Sequence, residues 1–167
     1  MLAQIESGTS LLRQLQTVVV PARTTPFVVR DTFKKGAEVN LSQVWDDFKK
    51  HFFGKIEKPA PVISLCKYQL LHLAADKPII EELGGEDKVE TTLSSAYALM
   101  KRQPRGEAGV LQTNGYANIF YVKDEMQTLC AVRIGWAVDG WVVDSIPVAD
   151  PLAWNGQHAI FCPADEE

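Results

Sequence analysis

Residues 116–147 read YANIFYVKDEMQTLCAVRIGWAVDGWVVDSIP, and the alternation within this stretch decides the fold. Three apolar runs, Tyr116 to Lys123, Gln127 to Trp136 and Trp141 to Pro147, are separated by Asp124 with Glu125 and by Asp139 with Gly140, residue types that favour turns. The pattern predicts a β-meander of three antiparallel strands joined by short connections. Successive side chains of a strand point to opposite faces. Cys130, Val132, Ile134, Trp136, Trp141 and Val143 therefore form one nearly unbroken apolar face. It is expected to pack on helices at about 25 cal/mol for each Å² of apolar area buried. The other face is expected to carry Tyr116, Asn118, Phe120, Arg133, Gly135, Val142, Asp144 and Ile146, a mixture of polar and apolar groups. A four-residue loop from Ala137 to Gly140 sets Trp136 opposite Trp141 and Arg133 opposite Asp144, whereas a two-residue Asp139-Gly140 turn sets Arg133 opposite Ile146. Pairing of opposite charges favours the first register.

Upstream of the meander, helical signals dominate. Residues 2–16 place Leu2, Ile5, Leu11, Leu12 and Leu15 near helical spacing, with a shorter helix capped at Ser10 as the alternative. Val18 to Val20 and Phe27 to Phe33 read as extended stretches around a connection bounded by Pro21 and Pro26. Asn40 followed by Gln43 resembles a capping box, and Leu41, Val44, Trp45, Phe48 and Phe52 recur at helical spacing until Gly54. Pro61 to Ala74 reads as a long strand, and Asp76, Pro78 and the pair Gly84, Gly85 frame a short helix. A helix over Glu86 to Arg102 follows, striped by Val89, Leu93, Tyr97 and Met100, with charges at both ends that complement its dipole. The last strand is expected over Gln157 to Cys162.

These elements predict an α+β domain spanning residues 1–167, with helices mainly in the N-terminal two-thirds packed on a C-terminal antiparallel meander and a fraying tail at 163–167. Composition agrees with one globular unit: 167 residues, 46% hydrophobic, 23% charged, with a net charge of -4. Disorder, collagen and disulfide scaffolds are excluded on those figures. No apolar run approaches the roughly 18 residues of a membrane span. Met1 to Glu6 lacks the basic start of a secretory signal, so a cytoplasmic protein is expected. Cys66, Cys130 and Cys162 sit far apart in apolar stretches and read as reduced core thiols without a disulfide.

Candidate chemistry is sparse. A protein partner bound through the mixed face of the sheet is the expected function, with Tyr116, Asn118, Arg133, Asp144 and Trp154 as its contacts. The alternative is a small enzyme or small-molecule binder in which Arg133 holds an anion while Asp144 or His158 serves as acid or base. His158 and Cys162, four apart in a strand, stand about 13 Å apart along the backbone and cannot act as a direct pair. No metal-ligand spacing occurs, and neither a metal nor a cofactor is expected. Glu86 and Asp87 after Gly84 and Gly85 would repel a phosphate. Lys34, Lys35, Lys49, Lys50, Lys55 and Lys58 cluster, but Asp46 and Asp47 share that segment, and a solvated surface rather than nucleic-acid binding is expected.

Overall fold

Residues 10–165 are described by a computed structural model. In chain order the elements are β1 (Leu12–Val20), β2 (Phe27–Val28), α1 (Val29–Thr32), β3 (Leu41–Val44), α2 (Asp46–Phe52), β4 (Ile56–Glu57), β5 (Ile63–Leu70), β6 (Ala74–Ala75), α3 (Asp76–Glu82) and α4 (Glu86–Val89). They continue as α5 (Leu93–Lys101), β7 (Asn118–Lys123), β8 (Leu129–Ala137), β9 (Gly140–Pro147), β10 (Ala153–Trp154) and β11 (Ala159–Pro163). Seven strands form one mixed sheet in the order β1-β5-β11-β7-β8-β9-β3. The β11–β7 and β3–β9 pairs are parallel, and the other neighbours are antiparallel.

The meander is present as β7, β8 and β9, and its second hairpin has the register that sets Trp136 opposite Trp141 and Arg133 opposite Asp144. Ala137 and Gly140 also pair, so only Val138 and Asp139 lie outside the ladder. The expectation of N-terminal helices packed on an antiparallel meander is overturned, because strands from the N-terminal half build much of the sheet. Residues 12–20 are the edge strand β1, not helix; a register shift between Gln14 and Gln16 breaks the alternation, which is why Leu11, Leu12 and Leu15 imitate helical spacing. The part of that reading on residues 1–9 lies outside the described residues. Leu41 to Val44 is strand as well, pairing with Trp141 to Val143, and helix begins only at Asp46. Phe27–Val28 is followed at once by the turn of helix α1, not by further strand. The helix expected over Glu86 to Arg102 is two, because the Thr91 N–H bonds the Tyr121 carbonyl and Thr92 caps a new start by accepting from the Ser95 N–H.

Helices cover both faces of the sheet. On one, the α5 face, Phe120, Val132, Ile134, Trp141, Val143 and Phe161 pack beneath α2 and α5, with Phe120 stacked on Phe161 at 4.8 Å. The first turn of α5 is closed by a buried carboxylate: Glu57 accepts from the Leu93 N–H at 2.7 Å and the Ser94 N–H at 2.9 Å. On the opposite side, the α3 face, Ile119, Tyr121, Ala131, Ile160 and Cys162 pack against Ile79 and Ile80 of α3, Val89 of α4, and Trp154.

The outer edge of β1 is guarded by side chains. Glu82 of α3 accepts from the Leu11 and Leu12 N–H groups at 2.8 and 3.1 Å, and Arg102 donates to the Val19 carbonyl at 2.6 Å. Occupied amides at one end, an occupied carbonyl at the other and a bulge between them blunt a strand that would otherwise offer a template for pairing.

Candidate functional site

The two-stranded pairing of β6 with β10 sets Trp154 opposite Ala74, two residues before Asp76. This pairing explains the central polar contact of the α3 face. Asp76 Oδ1 accepts from the Trp154 Nε1–H at 2.7 Å and from the Tyr121 hydroxyl at 2.8 Å. Its second oxygen, Oδ2, is buried with no hydrogen-bond partner. Burial holds the Asp76 carboxyl above the usual carboxylate range; the two hydrogen bonds oppose that shift and the charge of Asp150 adds to it. Oδ2, which accepts nothing, is the natural seat of the proton, since a neutral acid removes an otherwise uncompensated buried charge. Burial, followed by the nearby Asp76, likewise raises the Tyr121 hydroxyl above its ordinary range.

From this anchor a row of rings leads to the open end of the face. Trp154 meets His158 edge to face at 5.7 Å, and His158 meets Tyr116 in the same way at 5.7 Å. His158 Nδ1 accepts from the Ala117 N–H at 2.9 Å, which places the ring proton on Nε2. Burial and then the neighbouring Arg133 charge lower the His158 pKa, so the ring is held neutral. Beyond it the sheet is uncovered. Arg133 is exposed, Gly135, Val142, Asp144 and Ile146 are half-buried, and Gln43 of β3 extends the same surface through its pairing with Val142.

Arg133 and Asp144 are neighbours in the ladder but form no ion pair, and the Asp144 Oδ1 instead accepts from the Ser145 N–H at 2.8 Å. Among the described residues the Arg133 guanidinium has no hydrogen-bond or ion-pair partner. Tyr116, 40% exposed, flanks it across His158. The other two expected contacts lie elsewhere. Trp154 is 3% exposed, folded over the sheet and tied to Asp76. Asn118 is fully buried on the α5 face, since it pairs with Ile134, and Phe120 goes with it by pairing with Val132. The connection between β7 and β8 shifts the parity of β7 relative to the face assigned from alternation alone. Asn118 serves the fold: its Oδ1 accepts from the Gln112 N–H and its Nδ2 donates to the Gln112 and Ile134 carbonyls.

His51 and Cys130 are brought to one carboxylate oxygen: His51 Nδ1 lies 3.1 Å from Asp124 Oδ2, and Cys130 Sγ lies 4.0 Å from the same atom. Burial and Asp124 push the Cys130 thiol up to about 12, so the arrangement is not one that activates a nucleophile. Asp124 instead organises the β7–β8 turn by accepting from the Met126 and Thr128 N–H groups. Among the described residues no group of three or more His, Cys, Asp and Glu is placed to hold a metal. Of the clustered lysines, Lys34, Lys35 and Lys49 rim a shallow hollow of about 230 Å³, whereas Lys55 turns inward to the Lys123 carbonyl and Glu57. Trp45, placed by the sequence in a core stripe, is 49% exposed because it precedes the helix as its N-cap; Phe48 and Phe52 are buried. A larger concavity of about 560 Å³ lies beside Asp76 at the covered end of the α3 face, between Lys77, Glu86, Leu129 and Asp150. No helix among the described residues is long and apolar enough to cross a membrane. Compared with protein-family models, with curated proteins and with solved structures, the chain matches none of them.

Proposed function

We propose that the protein acts by binding another protein through the open end of its α3 face, with Arg133, Asp144 and Tyr116 as contacts. The observation that carries this reading is the exposed Arg133 guanidinium, which has no hydrogen-bond or ion-pair partner among the described residues and shares its sheet surface with Val142 and Ile146. An arginine in that setting offers a planar fork of donors to a carboxylate, and the flanking Val142, Ile146 and Tyr116 supply apolar area around it. The partner surface it fits is one that presents Asp or Glu within an apolar rim. Trp154, His158 and Asn118 serve from beneath: they hold the chain that borders the patch and do not touch the partner.

A small-molecule or enzymatic role for the same residues has less support. A reaction needs a shielded concavity with convergent polar groups, and here the Arg133 surface is open while the His158 acceptor nitrogen is already bonded to the backbone. The test is a photo-crosslinking residue placed at Val142, compared with one at the exposed Met126 on the opposite end of the β7–β8–β9 strands. An adduct specific to position 142 is expected. With the purified partner, Arg133→Glu should weaken affinity at least tenfold while circular dichroism stays unchanged. Equal affinity for Arg133→Glu, Tyr116→Ala and the unmodified protein would overturn the assignment.

A further inference from the structure

Cys66 and Cys162 face each other across β5 and β11. On either side of them, the Leu70 N–H bonds the His158 carbonyl and the Ala164 N–H bonds the Ser64 carbonyl. Alternation of the ladder between those two points makes Cys66 and Cys162 a hydrogen-bonded pair, whose Cα atoms stand about 5.5 Å apart. That separation lies within the roughly 4.4–6.8 Å that a disulfide spans. Directly opposed side chains share a face, here the α3 face, where Cys162 belongs to the core and Cys66 is buried beside it. Both are free thiols in this structure.

The surroundings of Cys66 are polar on the side of the sheet edge. Gln14 Nε2 donates toward its sulfur at 3.5 Å, and the Thr17 hydroxyl lies 3.8 Å away, both from the outermost strand β1. Cys66 is thus separated from the sheet edge by one strand, β1. Cys130, the third thiol, lies on the α5 face and has neither an opposed cysteine nor donors of this kind.

We propose that Cys66 and Cys162 form a redox modification site, oxidised by a peroxide to a disulfide that staples β5 to β11. The Cys66 sulfur attacks a peroxide oxygen, giving a sulfenic acid and one water. The Cys162 sulfur then attacks the sulfenic sulfur, the S–S bond forms and a second water leaves. Two thiols lose two electrons and two protons, and one hydrogen peroxide becomes two waters. Burial, with Cys66 and Asp165 adding to it, pushes the Cys162 thiol up to about 12, so Cys162 is not the sulfur that attacks the peroxide; its position directly opposite Cys66 makes it the resolving thiol. The bond closes a loop that contains every element from β6 to β10, and cross-linking so long a segment restricts the unfolded chain strongly.

The experiment treats the purified full-length protein with millimolar hydrogen peroxide, and in parallel with diamide, before alkylation by N-ethylmaleimide in denaturant. Intact mass should show one maleimide, on Cys130, in place of three, with a Cys66–Cys162 peptide that disappears on reduction. The melting temperature of the oxidised form should rise by roughly 5–10 °C. Cys130→Ser should still cross-link, and Cys66→Ser should not. Three maleimides after overnight treatment with both oxidants would overturn the proposal. So would oxygen adducts on Cys66 without a cross-link, or a linkage that includes Cys130.

Discussion

The two faces of the sheet are covered by different means. On the α5 face the cover is held by fit: Trp141, Phe120 and Phe161 are fully buried, and even the Trp141 Nε1–H is satisfied, donating to the Gln103 carbonyl at 2.8 Å. On the α3 face the cover stops halfway, and its border is fixed by one buried carboxyl that gathers Tyr121 and Trp154. Apolar packing is non-directional and spreads over a whole face, whereas a buried acid with two donors defines a line at which the covering ends. The open patch around Arg133 is what lies beyond that line.

The largest effect should come from the packed face. Trp141→Ala should cost about 3–5 kcal/mol in urea unfolding, because it leaves a large cavity and removes one of the two hydrogen bonds to the Gln103 carbonyl. A loss below about 1 kcal/mol would mean that the face is not packed by fit. Next comes Asp76→Ala, which strands the Tyr121 hydroxyl and the Trp154 N–H and should cost about 2 kcal/mol. Asp76→Asn keeps the acceptor and removes the titration. Because the folded Asp76 binds its proton more tightly than the unfolded chain does, its contribution is fully present below about pH 4 and is lost as pH rises through the raised value. The stability gap between the unmodified protein and Asp76→Asn should therefore move in favour of the variant as pH rises from about 4. A gap that stays constant would show that Asp76 carries no raised pKa. The smallest effect belongs to the open patch: Arg133→Ala should change stability by no more than about 0.5 kcal/mol, since nothing in the fold uses its guanidinium. A thermal shift of many degrees for that variant would erase the distinction between border and patch.

What the sequence made legible was local. The β8–β9 register followed from one aromatic pair and one charge pair, and α3 from Pro78 and the paired glycines. Strand β1 was hidden by its own bulge, which shifts the alternation at Leu15. Strand β3 was hidden by Asn40, whose side chain donates to the Asp139 carbonyl across the sheet and caps no helix. In the candidate site, Arg133, Asp144 and Tyr116 were visible as the polar members of a mixed strand face. His158 was read only as an alternative acid or base beside Arg133, and Asp76 was not visible as part of the site. Asp76 lies 45 residues from Tyr121 and 78 from Trp154, and no local pattern reports contacts of that separation. The face of Asn118 was misassigned because alternation fixes parity within a strand, not between strands.

Strand β11 follows every other described strand in the sequence yet lies between β5 and β7. Without residues 159–163 the sheet would divide into two halves, β1 with β5 and β7 through β9 with β3, each with an unpaired edge where β11 belongs. β11 is thus the wedge that joins the halves. A chain cut before β11 would expose both edges without the guards that Glu82 and Arg102 supply at β1, and such edges are templates for pairing with other chains.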